Sequence, residues 1–248
     1  MLILKLLLVP AVVAAVSVAS RRWGPVVGGW LAGLPLVAGP ILLLLTLQHG
    51  TAFGAAAALS ALAAVAASEA YNLLYARTCR NASRWLSLAA GLSAWLIVSA
   101  GLSALPQTLA WSAGAALLAV LASLTFLPRC HAPVVATPLT PRDLLLRMIA
   151  GSALTACVTV LAGRVGPAWS GLLSVFPLLG VVLTVSAHRA NGPVFVISLL
   201  RGMVRGRFSF AAFCACLALS LPQRGIAPAF AEAAVLCLIV HRAVGKRP

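Results

Sequence analysis

Arg22-Trp23-Gly24-Pro25-Val26-Val27-Gly28-Gly29-Trp30-Leu31-Ala32-Gly33-Leu34-Pro35-Leu36 is answered 142 residues later by Arg164-Val165-Gly166-Pro167-Ala168-Trp169-Ser170-Gly171-Leu172-Leu173-Ser174-Val175-Phe176-Pro177-Leu178. The two stretches share an Arg-x-Gly-Pro corner, a glycine, a leucine and a mid-segment Pro-Leu, without a gap. The same register pairs Leu2 with Leu144, Leu4 with Leu146 and Lys5 with Arg147. A second match, Leu105-Pro106-Gln107 with Leu221-Pro222-Gln223, has a different offset and precedes a final apolar run in each half. Leucine-rich helices resemble one another easily; two shared proline positions at one spacing are a stronger signal. The chain reads as a duplication, and internal repeats in a hydrophobic chain are a mark of transporter folds.

Composition sets the environment. The chain is 62% hydrophobic and 8% charged, where soluble domains carry about 25% charged residues. Long apolar runs separated by short polar breaks define an all-α, polytopic membrane protein whose first partner is the lipid bilayer. The net charge of +15 comes from basic residues placed mostly between apolar runs. That is the pattern of cytoplasmic loops, not of a nucleic-acid surface, and no nucleic-acid partner is expected. Residues 1–19 resemble a signal peptide, but they align with 144–161 and so read as a mature first helix.

Apolar periodicity and breakers predict helices over 2–19, 24–48, 51–76, 84–104, 107–127, 143–162, 166–187, 208–221 and 226–242. Residues 1–127 form a first membrane repeat, 128–142 a Pro-rich linker and 143–248 a second repeat. Thr140-Pro141-x-Asp143 is a helix start, with a capping Thr, a proline in the first turn and an acid near the positive dipole end. Residues 190–207 are too basic for a full span, with Arg201, Arg205 and Arg207 close together, so they read as a short interfacial or broken segment. Nine spans with the N-terminus outside put every basic residue except Lys5, Arg164 and Arg224 on one side, which the positive-inside rule favours. A tenth crossing at 190–207 remains the symmetric alternative. Five spans before the second copy make the repeats inverted.

Several residues are candidates for chemistry. Pro35 and Pro177 each interrupt a membrane helix near half depth, and symmetric breaks of this kind point to a transport site; tight Gly/Pro packing is the bland alternative. His49 and His188 end the same two helices, with Thr46 and Thr184 one turn before them. They form polar exits for a solute, or interfacial caps. Glu69 and Glu232 are the acids within apolar runs and are the candidates for proton coupling. Glu69 shares a polar stripe with Ser68, Asn72 and Tyr75; a structural ion pair with Arg77 is the competing reading. Glu232 takes the place of Gly114 in the repeat. Trp23, Trp30, Trp85 and Trp169 read as interfacial anchors. No triad, phosphate loop, metal set or cofactor motif is evident, so neither enzyme activity nor a cofactor is expected.

Gly171-Leu172-x-x-x-Phe176-Pro177 followed by His188 resembles GlpM-type small bacterial membrane proteins, here duplicated. The outline is also similar to the drug/metabolite transporter superfamily. The functional expectation is an inner-membrane transporter of a small solute, with a cytoplasmic C-terminus and possible homo-oligomerisation. The alternatives are a non-transporting membrane component that assists an envelope assembly, and an enzyme acting on a lipid-linked substrate.

Overall fold

A computed structural model describes residues 2–105, 108–129, 137, 139–164 and 176–245. Among them the chain forms nine α-helices. These are α1 (Leu2–Trp23), α2 (Pro25–Ala32), α3 (Ala38–His49), α4 (Thr51–Thr78), α5 (Arg84–Ser103), α6 (Leu109–Phe126), α7 (Pro141–Arg164), α8 (Leu178–Arg224) and α9 (Ile226–Gly245). Seven are long and apolar enough to cross a membrane, and α3 is a shorter apolar helix. The protein is therefore an all-helical membrane protein. The expectations at Pro106, Gln107, most of the Pro-rich linker, residues 165–175 and the terminal Lys246-Arg247 lie outside the described residues.

Glycine sets the corners. The positive-φ residues among those described are Gly24, Gly50, Gly192 and Gly225, with φ between 76° and 91°. Each has ψ close to ±180°, a conformation almost restricted to glycine. Each lets one helix turn directly into the next without a loop. Gly192 divides α8 into two limbs, 178–191 and 193–224, and Pro193 opens the second, where its missing N–H costs nothing. Elsewhere, side chains cap the helix starts. Ser83 accepts from the Leu86 N–H and Thr108 from the Trp111 N–H. At α7, Thr140 accepts from the Asp143 N–H at 3.1 Å and donates to its carboxylate at 2.6 Å.

The 142-residue register reaches beyond the stretches that first revealed it. Gly50 and Gly192 share it, and so do the bounds of α5 (84–103) and α9 (226–245). The second limb of α8 thus stands in the place of α4. Two expectations are corrected. Residues 190–207 do not form a separate interfacial segment; from Pro193 they are continuous with 208–224 in one helix of about 48 Å. The segment 24–48 is two helices, because the chain leaves helical geometry around Pro35. Leu221-Pro222-Gln223 closes α8 just before α9 opens at Ile226, and the spacing of 142 sets Glu232 against Ala90.

Glycine also sets the closest packing. Gly29 on α2 and Gly33, the residue that caps its end, meet the stretch of α8 that carries Gly202 and Gly206, a pair of Gly-x-x-x-Gly surfaces. A Cβ at Gly29 would lie 1.9 Å from the Leu199 carbonyl oxygen, and one at Gly33 would lie 2.6 Å from the Gly206 Cα. Beside this crossing α4 runs through the interior. Ala55, Ala58, Ala61, Ala64 and Ala67 are buried along it, small enough for neighbouring helices to approach. The α1–α7 contact is formed by Val9 and Val13 against Gly151. The outward faces of α5, α6, α7 and α9 carry exposed Ile97, Leu118, Ile149 and Ile239, as lipid contact requires.

Candidate functional site

The half of α4 nearest Thr78 is polar and buried. Ser68, Glu69, Tyr71, Asn72 and Tyr75 all lie within two turns, and each is no more than 5% exposed. The half nearest Thr51 is lined instead by alanine, leucine and valine. This asymmetry gives the bundle a polar interior that begins near mid-depth and runs towards one end.

Glu69 is at the inner limit of that region, 1% exposed. Its Oε1 lies 3.5 Å from Arg207 Nε, whose side chain is 13% exposed. Asn72 donates to the same oxygen at 3.2 Å. The buried Ser123 hydroxyl of α6 lies beside the carboxylate, and the Arg207 guanidinium also covers the Phe210 ring. Helices α4, α6 and α8 therefore converge on one ion pair. An unpaired carboxylate or guanidinium in hydrocarbon is costly, so each group is held inside by the other. The expected pairing with Arg77 is corrected: Arg77 lies over the Phe126 ring instead. Arg201, one turn from Arg205, donates to the Leu127 and Pro128 carbonyls just past α6. Arg201 and Arg207, which helped to make this segment look like a loop, are thus used inside the fold.

A second set of contacts joins α4 to the first limb of α8. Tyr71 and Tyr75 are one turn apart, as are Thr184 and His188, so the two pairs meet as rungs. The Tyr71 hydroxyl is 2.8 Å from Thr184 Oγ1, and the Tyr75 hydroxyl is 3.3 Å from His188 Nδ1. Thr184 directs its own proton to the Gly180 carbonyl at 2.7 Å, so Tyr71 is the donor in the first rung. His188 lies in the last turn of the first limb of α8, just before the Gly192 corner.

The other sequence candidates lie apart from this set. Thr46 is buried, donates to the Leu42 carbonyl at 2.7 Å and packs on Gly54. His49 is exposed at the end of α3, tilted against Phe53. Pro35 lies between α2 and α3, and Pro177 precedes the first turn of α8. Both proline segments pack on the second limb of α8: Gly33 and Gly39 meet Gly206 and Phe213, while Gly180 meets Met203. Glu232 is 36% exposed; it pairs with Arg224 and accepts from the Ser220 hydroxyl at 3.1 Å. Trp30, expected at an interface, stacks inside on His241 with ring centroids 3.6 Å apart.

Residue reasoning missed Arg207 and Tyr71 as members of the site, and the Gly-x-x-x-Gly crossing beside it. The crossing was legible as Gly29-x-x-x-Gly33 and Gly202-x-x-x-Gly206. Arg207 was hidden by its neighbours, because three arginines within seven residues look like a loop. No family model, curated protein or solved structure matches the chain. The fold and site define a membrane-embedded helical bundle built around a buried Glu–Arg pair.

Proposed function

We propose that the protein is a transporter of a small solute in the bacterial inner membrane, working by alternating access between two inverted repeats. In this reading the chain crosses nine times. Residues 25–49 make one bent crossing, the first limb of α8 belongs to another, and the C-terminus is cytoplasmic. The first repeat is α1 to α5 and the second runs from α7 to α9; the odd helix α6 turns the second copy over. The observation that carries the reading is the common register of Gly50 with Gly192 and of α5 with α9. It makes α4 and the second limb of α8 symmetry mates, and the Glu69–Arg207 pair joins those two helices.

The polar face from Glu69 to His188 supports a solute or proton path open to one side, with the alanine-lined half of α4 as the closed side. Glu69, Arg207, Tyr71, Tyr75, Thr184 and His188 are the residues of that path. This moves the centre of the proposed site from the gap between Pro35 and Pro177 to α4; the prolines then serve as bends about which the repeats rock.

The tight Gly-x-x-x-Gly crossing favours a second reading, in which the repeats only pack and the protein is a scaffold for an envelope assembly. Cysteine accessibility separates the two. In a background without native cysteines, Ser68→Cys and Thr184→Cys in sealed membranes of both orientations should react with a small impermeant thiol reagent from either side. Protection from both sides would leave the scaffold reading.

A further inference from the structure

The polar path of α4 is not the sole concentration of charge. At the end of the bundle where α1 finishes and α7 starts, a cleft is lined by Ser20, Arg21, Asp143, Arg147 and Asn191. It lies between α1 and α7, clear of Glu69 and Arg207. Its electrostatics are one-sided. Arg147 and Arg189 both act on Asp143, and Arg21 adds a third cation, so one carboxylate faces three guanidinium groups. Two helix N-termini also open here: α7 behind its Thr140 cap, and the second limb of α8 immediately after Asn191 and Gly192. Each contributes a partial positive charge and N–H groups from its first turn.

The donors in the cleft are not exhausted by protein contacts. Arg147 Nη1 donates to Ser17 at 3.3 Å and Arg21 Nη1 to the Leu139 carbonyl at 3.0 Å. A guanidinium carries five N–H donors, so each has more to offer. The enclosed space is about 20 Å³, room for one oxygen-sized group.

We infer that this cleft binds a phosphate-bearing anion, seating one phosphate oxygen between Arg21 and Arg147 with the rest of the group at the opening. Arginine pairs and helix N-termini both suit a tetrahedral dianion. The source is either the headgroup of an anionic lipid or a free phosphate. The inference does not rest on transport, because a scaffold protein would bind the same group.

The test uses delipidated full-length protein in a neutral detergent, with the unfolding midpoint as readout. The titrants are phosphatidylglycerol, inorganic phosphate, and sodium chloride at matched ionic strength. The midpoint is expected to rise with phosphatidylglycerol, phosphate or both, and not with chloride. A response to the lipid alone assigns a headgroup; a response to inorganic phosphate assigns a free anion. Arg147→Gln and Arg21→Gln should each weaken the response about tenfold, the loss of one charge-assisted contact. Arg147→Lys should recover part of it, and Arg224→Gln, at a site outside the cleft, should leave it unchanged. No rise with either probe in the unmodified protein overturns the inference, whatever the variants do. So does a full response retained in both Gln variants.

Discussion

The Glu69–Arg207 pair should be the most strongly coupled contact in the molecule, and a double-mutant cycle measures this. At the observed 3.5 Å, an effective dielectric of 20 gives an attraction of roughly 5 kcal/mol. Much of it offsets the cost of removing both groups from water. Removing one charge strands the other, and the expected loss is about 3–5 kcal/mol for either Glu69→Gln or Arg207→Met. The double variant strands no charge and should lose less than either single one. The expected coupling is about 2–3 kcal/mol, near the top of the range for residues in contact. Arg77→Met provides the contrast, since Arg77 lies over Phe126 and should show no coupling with Glu69. Reversible unfolding in mixed micelles, driven by the mole fraction of dodecyl sulfate, reads all of these values. Additive losses for Glu69 and Arg207, or coupling of Glu69 to Arg77 instead, would refute the buried pair.

The glycine crossing makes a prediction with opposite signs at two sites. Gly202→Ala places a Cβ 2.0 Å from the Val26 carbonyl oxygen and should cost about 1–3 kcal/mol in the same micelle assay, whereas Gly114→Ala meets nothing within 4 Å and should gain up to about 1 kcal/mol from helix propensity. Gly192→Ala meets no atom either, but it must hold φ 76° with ψ −177°; it should lose about 1–3 kcal/mol by backbone strain alone, and Gly50→Ala should match it.

The parts of the fold that were legible in the sequence are those written in backbone chemistry. The Arg-x-Gly-Pro corner implies a tight turn, and Gly24 adopts φ 91° there. Pro35 interrupts its helix as its missing N–H requires, and Thr140 caps α7 as its spacing to Asp143 implies. The charges were misread. Hydropathy treats an arginine as a boundary, and it cannot see that Arg207 is matched by a carboxylate far away in the chain. Removing that false boundary makes 193–224 one helix. The polar stripe on α4 was visible from Ser68, Glu69, Asn72 and Tyr75. Its partners on α8 depend on the packing of distant segments, which no local pattern carries.

The central claim is that residues 142 apart lie on opposite sides of the membrane. Single cysteines at four corners test it directly: Gly50 with Gly192, and Ser83 with Gly225. In intact cells carrying a cysteine-free background, an impermeant thiol reagent should label Gly50→Cys and Gly225→Cys, while Gly192→Cys and Ser83→Cys should react only after the membrane is opened. Labelling of both members of either pair from the same side would contradict the inverted duplication.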